Sequence, residues 1–180
     1  MSLPILLLRL YTPTWLKKRQ LAELFACTAA AFDAVAPATA GLSFDECLVE
    51  YARFTAEQAE AAIRRGGDAE ALRDRLYRNA YQLGCRVRKR LRVSTTEEAM
   101  SATRLLYHTL RIELRGPVGG DIEVGRCFFS RFYSIRVCQV VSALDAGVVA
   151  GLSDGGRLTF YQRITEGCDR CRARFEEAAT

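Results

Sequence analysis

The chain holds one histidine (His108), one tryptophan (Trp15) and only three lysines, at positions 17, 18 and 89. Histidine-based acid–base chemistry therefore has a single candidate, His108, which follows Tyr107. No Gly-rich phosphate loop is present, and the basic run Arg86–Arg92 has no aromatic residues interleaved in it. Nucleic-acid binding would rest on charge alone, and the sequence argues against it. No repeat or low-complexity tract breaks the chain. The apolar stretch Leu3–Leu10 lacks the basic start and small-residue cleavage site of a secretory signal. It is also too short to cross a bilayer, so no transmembrane segment is expected. It reads as a segment packed on the domain, with a membrane-surface anchor as the alternative.

A chain of 180 residues, 49% apolar and 26% charged, suits one globular domain able to bury most of its apolar surface. The net charge of +5 is carried mostly by arginine; it would favour anionic partners without naming one. Seven cysteines are an odd number, and Cys27, Cys47 and Cys85 sit in helix-like apolar patterns. Buried free thiols of this kind fit a reducing compartment, so a cytoplasmic location is expected.

Apolar periodicity predicts about four helices in residues 1–110. Thr14 is the expected cap of the first, and Ser43 with Glu46 forms a capping-box pattern for the second. Asp68 precedes the third, and Thr95 or Thr96 with Glu98 opens the fourth. The period then changes. Ile112 and Leu114 alternate with charged residues, Gly116-Pro117 and Gly119-Gly120 mark a turn, and Ile122 and Val124 alternate towards Cys127. A helix over 133–152 and a last strand pair, 157–165 with 171–176, complete the reading. The predicted class is α+β: one domain over 1–180, with helices first and then a small antiparallel sheet carrying one further helix. Residues 111–176 form the cysteine-containing half expected to hold the site.

In the helix 133–152, Ser134, Cys138, Ser142 and Asp145 fall on one stripe beside an apolar side built from Val137, Val140, Val141, Leu144 and Val148. A carboxylate desolvated there would gain a raised pKa suited to a general base. The competing reading is a solvated face with a buried cysteine. Cys127 ends a strand; it is a nucleophile candidate if Arg126 or Arg131 lowers its pKa, or a buried structural thiol. A Cys127–His108 dyad needs the fold to join them. Cys168-Asp169-Arg170-Cys171 is a CxxC, and with Cys127 and Cys138 it supplies four thiols, the number a zinc site or iron–sulfur cluster uses. The ten-residue gap between Cys127 and Cys138 speaks against that set.

At Cys127-Phe128, Cys138, Asp145, Thr165, Gly167 and Cys171 with Phe175, the chain resembles the L-2-amino-thiazoline-4-carboxylic acid hydrolase-like family. The match covers roughly residues 110–176, with Cys168 as an additional thiol and Ala173 in place of a bulkier residue. The Gly…Cys ending is also similar to ligand-sensing domains of the four-vinyl-reductase type. The first resemblance implies hydrolytic opening of a cyclic C=N carbon. In that scheme Cys127 is nucleophile or wall and Asp145 is base or proton donor, with His108 as a further catalytic candidate. Arg163 would hold a substrate carboxylate, and Cys138, Ser142 and Thr165 would line the pocket. The alternative function is a non-catalytic ligand- or metal-binding module using Cys127, Cys138, Cys168 and Cys171, with zinc or iron–sulfur as cofactor. Small-molecule binding is expected on either reading, and homo-oligomerisation is left open.

Overall fold

The computed structural model describes residues 2–117 and 120–178. Helix α1 spans Leu3–Leu10, α2 Thr14–Ala31, α3 Phe44–Arg64, α4 Ala69–Leu91 and α5 Thr96–Thr109. Strands β1 (Ile112–Arg115) and β2 (Gly120–Cys127) come next, then a 3-10 turn (Phe128–Arg131) and α6 (Ile135–Leu152). Strand β3 (Arg157–Gln162), a second 3-10 turn (Ile164–Glu166) and β4 (Cys171–Glu176) end the fold. The α+β class is as expected, with one helix more than the periodicity suggested in the N-terminal half, because Leu3–Leu10 is itself helical. Gly119, one of the expected turn residues, lies outside the described residues.

The helix starts reflect local chemistry. Ser43 Oγ accepts a hydrogen bond from the Glu46 amide at 3.2 Å, and the Ser43 amide donates to Glu46 Oε2 at 2.7 Å. Asp68 Oδ1 accepts from the amides of Glu70 and Ala71, and Thr95 Oγ1 accepts from Glu98. Each such cap contributes about 1 kcal/mol. Thr14 is not a cap: it is the first helical residue of α2, and the residue before it is Pro13, which has no side-chain donor or acceptor to offer.

All strand pairs are antiparallel, in the order β1-β2-β4-β3. Alternation puts Ile122, Val124, Leu158, Cys171, Ala173 and Phe175 on the buried face. The outer face carries Asp121, Glu123, Arg172 and Arg174, partly joined in ion pairs. Between β1 and β2 the register jumps: Glu113 faces Arg126 while Leu114 faces Val124, so Gly125 is an extra residue in β2. Such a bulge bends the strand and re-aims the residues beyond it. Here it delivers Cys127 and the Phe128–Arg131 turn to the interior.

Helix α6 runs through the middle of the molecule, against α4, α3, α5 and β3. Its length and apolarity would suit a bilayer, but most of it is buried inside the fold. Its closest neighbour is α4. Gly84 of α4 faces Gly151 of α6, Ala80 of α4 faces Gly147, and a Cβ built on any of the three glycines would overlap a carbonyl oxygen of the facing helix. At Gly151 that Cβ would also lie 2.9 Å from the Gly84 Cα. Small residues spaced by four let the two backbones touch, a geometry no larger side chain permits. Gly147→Ala or Gly151→Ala is expected to lower the unfolding free energy by about 2 kcal/mol or more in urea titrations. Gly67→Ala, whose added methyl would meet only the Ala62 carbonyl at 3.6 Å, should change it by no more than about 1 kcal/mol. Equal effects at the two kinds of position would contradict this packing account.

Candidate functional site

Between α6, α5 and the aromatic cluster of α2 and α3 lies a cavity of about 130 Å³. A buried apolar cavity of about 150 Å³ holds one benzene, so the space suits a single small ring. Its walls are mainly apolar: Leu24, Leu83, Val87, Leu106, Phe129, Val141, Leu144, Val148 and Ile164. The polar groups are few and come from separate parts of the chain.

Asp145 comes from α6 and Tyr107 from α5, and the Tyr107 hydroxyl donates to Asp145 Oδ1 at 2.5 Å. Burial pushes the Asp145 carboxyl up to about 6, against the hydrogen bond from Tyr107 and the attraction of Arg163, which pull it down. Burial and the adjacent carboxylate push the Tyr107 phenol well above its ordinary value, so it stays a donor. Tyr51 and Tyr133 line the same space, also held neutral chiefly by burial.

Three thiols share the cavity: Cys127, Cys138 and Cys171. Burial pushes Cys127 up to about 12, and the negative charge of Asp145 adds to the effect, while the backbone amides of Phe129 and Ser130 oppose it. Arg131 does not serve as the activating cation imagined from sequence; its guanidinium stacks on the Phe128 ring. At neutral pH Cys127 is a protonated thiol, a cavity wall rather than a ready nucleophile. Cys138 and Cys171 are raised as well, again mainly by burial. The Ile164 amide donates to Cys171 Sγ at 3.3 Å, fixing that thiol at the start of β4.

Two oxygens at the cavity have no protein partner of good geometry. They are Gln20 Oε1 and Thr165 Oγ1, both buried; the Thr165 hydroxyl lies beside the Cys138 thiol. A buried polar atom left unpaired costs about 1–3 kcal/mol unless a ligand or water satisfies it. Ser142 also lines the space, but its hydroxyl already donates to the Gln139 carbonyl at 3.0 Å. Glu23 is at the opposite wall, paired with Arg19 and Arg90.

The sequence stripe on α6 is thus largely realised: Cys138, Ser142 and Asp145 line the cavity, whereas Ser134 caps the helix by accepting from the Val137 amide at 3.3 Å. Three expectations need correction. His108 is exposed and turned away; its neighbour Tyr107 faces inward, since adjacent helical residues point about 100° apart. The Cys127–His108 dyad does not form. Arg163 does not line the cavity; its guanidinium lies over the Phe160 ring and near Glu166, close enough for its charge to act on Asp145. Among the described residues no lysine, arginine or histidine lines the cavity. The four-thiol metal set is not assembled: Cys168 lies in the turn before β4, outside the lining. Among the described residues no three His, Cys, Asp or Glu side chains are grouped to hold a metal ion.

Tyr107, Gln20 and Tyr51 were not foreseen. For Tyr107 a signal existed: Met100, Thr103 and Tyr107 are spaced by three and four on the buried side of α5. For Gln20 and Tyr51 none did, because they reach the cavity from distant helices. Compared with known proteins, the chain matches no family model and no curated sequence.

The buried carboxyl has a consequence for stability. The native state binds the Asp145 proton more tightly than the unfolded chain, whose Asp releases it near its ordinary value of 3.8. The stabilising contribution is complete at low pH and is lost as pH rises from about 4 through about 6. The loss amounts to about 3 kcal/mol. Asp145→Asn removes this dependence, so its stability relative to the native chain should improve by about that amount between pH 4 and pH 7. Parallel pH profiles in urea denaturation would contradict the raised value.

Proposed function

We propose that the cavity is a small-molecule site in which Asp145 transfers protons, and that the chain hydrolyses a small ring bearing a C=N group. This is the chemistry implied by its resemblance to L-2-amino-thiazoline-4-carboxylic acid hydrolase-like proteins. The observation that carries the reading is the Asp145–Tyr107 pair, a carboxyl with a pKa of about 6 lining a ring-sized, mainly apolar cavity. A base tuned close to neutrality both holds and releases its proton readily. A protonated amidine-like ring entering the cavity would pair with the Asp145 carboxylate, which has no other cation in the lining.

Water adds to the amidine carbon and loses one proton to Asp145, leaving a neutral tetrahedral adduct. Asp145 then gives that proton to the ring heteroatom whose bond to the carbon breaks. The adduct's hydroxyl becomes the new C=O, and its proton passes to Asp145 and on to solvent. Tyr107 keeps the carboxyl oriented throughout. Gln20 Oε1 can accept from the ring substituents, and the Thr165 hydroxyl, beside the Cys138 thiol, can accept from them as well.

A panel of cyclic amidines, with ring-opened product monitored by mass spectrometry, tests this. Asp145→Asn is expected to lower kcat/KM by about 10²–10⁴-fold. Cys127→Ala should stay within about tenfold, since a thiol held near 12 is not the attacking group. Full turnover in Asp145→Asn would remove the proposed mechanism, and abolition by Cys127→Ala alone would restore that thiol as nucleophile. Saturable binding of the same compounds without product would favour the second reading, a ligand-binding module, for which the apolar walls and protonated thiols are equally suited.

A further inference from the structure

Helix α1 is apolar on two faces, and only one of them has a partner. On the inner face Ile5 is completely buried and Leu8 packs on the α4–α6 core. The Ser2 hydroxyl donates to the Leu91 carbonyl at 2.7 Å, fastening the start of the helix to the end of α4. On the outer face Leu3, Leu6, Leu7 and Leu10 recur at i, i+3, i+4 and i+7, and all are exposed, Leu10 by 85%. Tyr11 and Trp15 follow in the chain and are exposed too, Trp15 by 65%. Soluble surfaces scatter large apolar side chains singly; four exposed leucines on one face of α1 make a stripe that calls for an occupant.

The charges in this part of the sequence say which occupant. Residues 1–22 contain Arg9, Lys17, Lys18 and Arg19 and no aspartate or glutamate. Two of the chain's three lysines fall here. Lys17 and Lys18 begin α2 immediately after Trp15, with Lys18 reaching the Leu42 carbonyl and Arg19 pairing with Glu23. A second copy seated on this face would set one basic segment against another, which like-charge repulsion opposes. A membrane surface with anionic headgroups meets both requirements: it accepts leucines at the acyl boundary, aromatic rings at the headgroup level and basic side chains at the phosphate layer. We propose that α1 and the start of α2 form a docking face for anionic membranes, laid flat on the surface by Leu3, Leu7 and Leu10 and attracted there by the basic residues that open α2.

Trp15 is the only tryptophan, so its fluorescence reports on this face alone. The full chain is titrated with phosphatidylcholine vesicles with and without phosphatidylserine, and sedimentation is read in parallel. The expected result is a blue shift and co-sedimentation with the anionic vesicles only. The double variant Leu7→Glu/Leu10→Glu should weaken binding by about tenfold or more with an unchanged unfolding midpoint, because both side chains are already exposed. Lys17→Glu/Lys18→Glu should abolish the preference for anionic lipid. The proposal is overturned if neither vesicle shifts the emission, if the leucine variant binds as before, or if the shift instead tracks protein concentration without lipid, which would mark self-association.

Discussion

The backbone contact between α4 and α6 is the constraint on which the rest of the molecule depends. Gly84, Gly147 and Gly151 leave no room for a side chain between the two helices. Their approach fixes the rotation of α6 about its own axis. With Gly147 and Gly151 turned to α4, the face carrying Cys138, Ser142 and Asp145 is turned away from it, towards α5 and the ends of β2 and β4. A helix has only one rotation that satisfies both demands. The seam therefore decides where the carboxyl points, and a methyl group placed there would disturb the cavity as well as the fold.

Within the cavity, burial outweighs every specific electrostatic contact. The same desolvation raises Asp145, Cys127, Cys138 and Cys171, although each also receives at least one hydrogen bond or positive charge that works the other way. The outcome differs by group because the starting values differ. A carboxyl raised from 3.8 arrives at about 6, close to neutrality, whereas a thiol raised from 9.0 to about 12 leaves the range where it ionises. One environment thus brings the carboxyl close to neutrality and keeps the thiols protonated. The walls in turn keep the carboxyl desolvated.

Much of this was legible in the sequence. The capping residues Ser43, Asp68 and Thr95 named their helices, alternation named the buried faces of the strands, and the spacing of Cys138, Ser142 and Asp145 named the stripe of α6 that lines the cavity. These signals are local, and each depends on residues within a few positions of one another. The features that could not be read depend on pairings between distant segments. The insertion of β4 between β2 and β3 is one such case, and the arrival of Gln20 and Tyr51 at the cavity is another. His108 illustrates a different limit: one position along a helix separates a group in solvent, His108, from a group in the core, Tyr107. The thiol set failed similarly: Cys168 and Cys171 are near in sequence, but only Cys171 has entered the inward-facing pattern of β4.

The proposed role of Asp145 as the protonatable group of the cavity stands or falls with its own ionisation. Carboxyl carbon resonances of aspartate-labelled protein, recorded from pH 3 to pH 8, would give that value, with the Asp145→Asn variant assigning the signal. The account predicts an apparent pKa near 6. Titration near the ordinary aspartate value of about 4 would mean that water reaches the carboxyl freely, and the enclosed proton-transfer site would not exist.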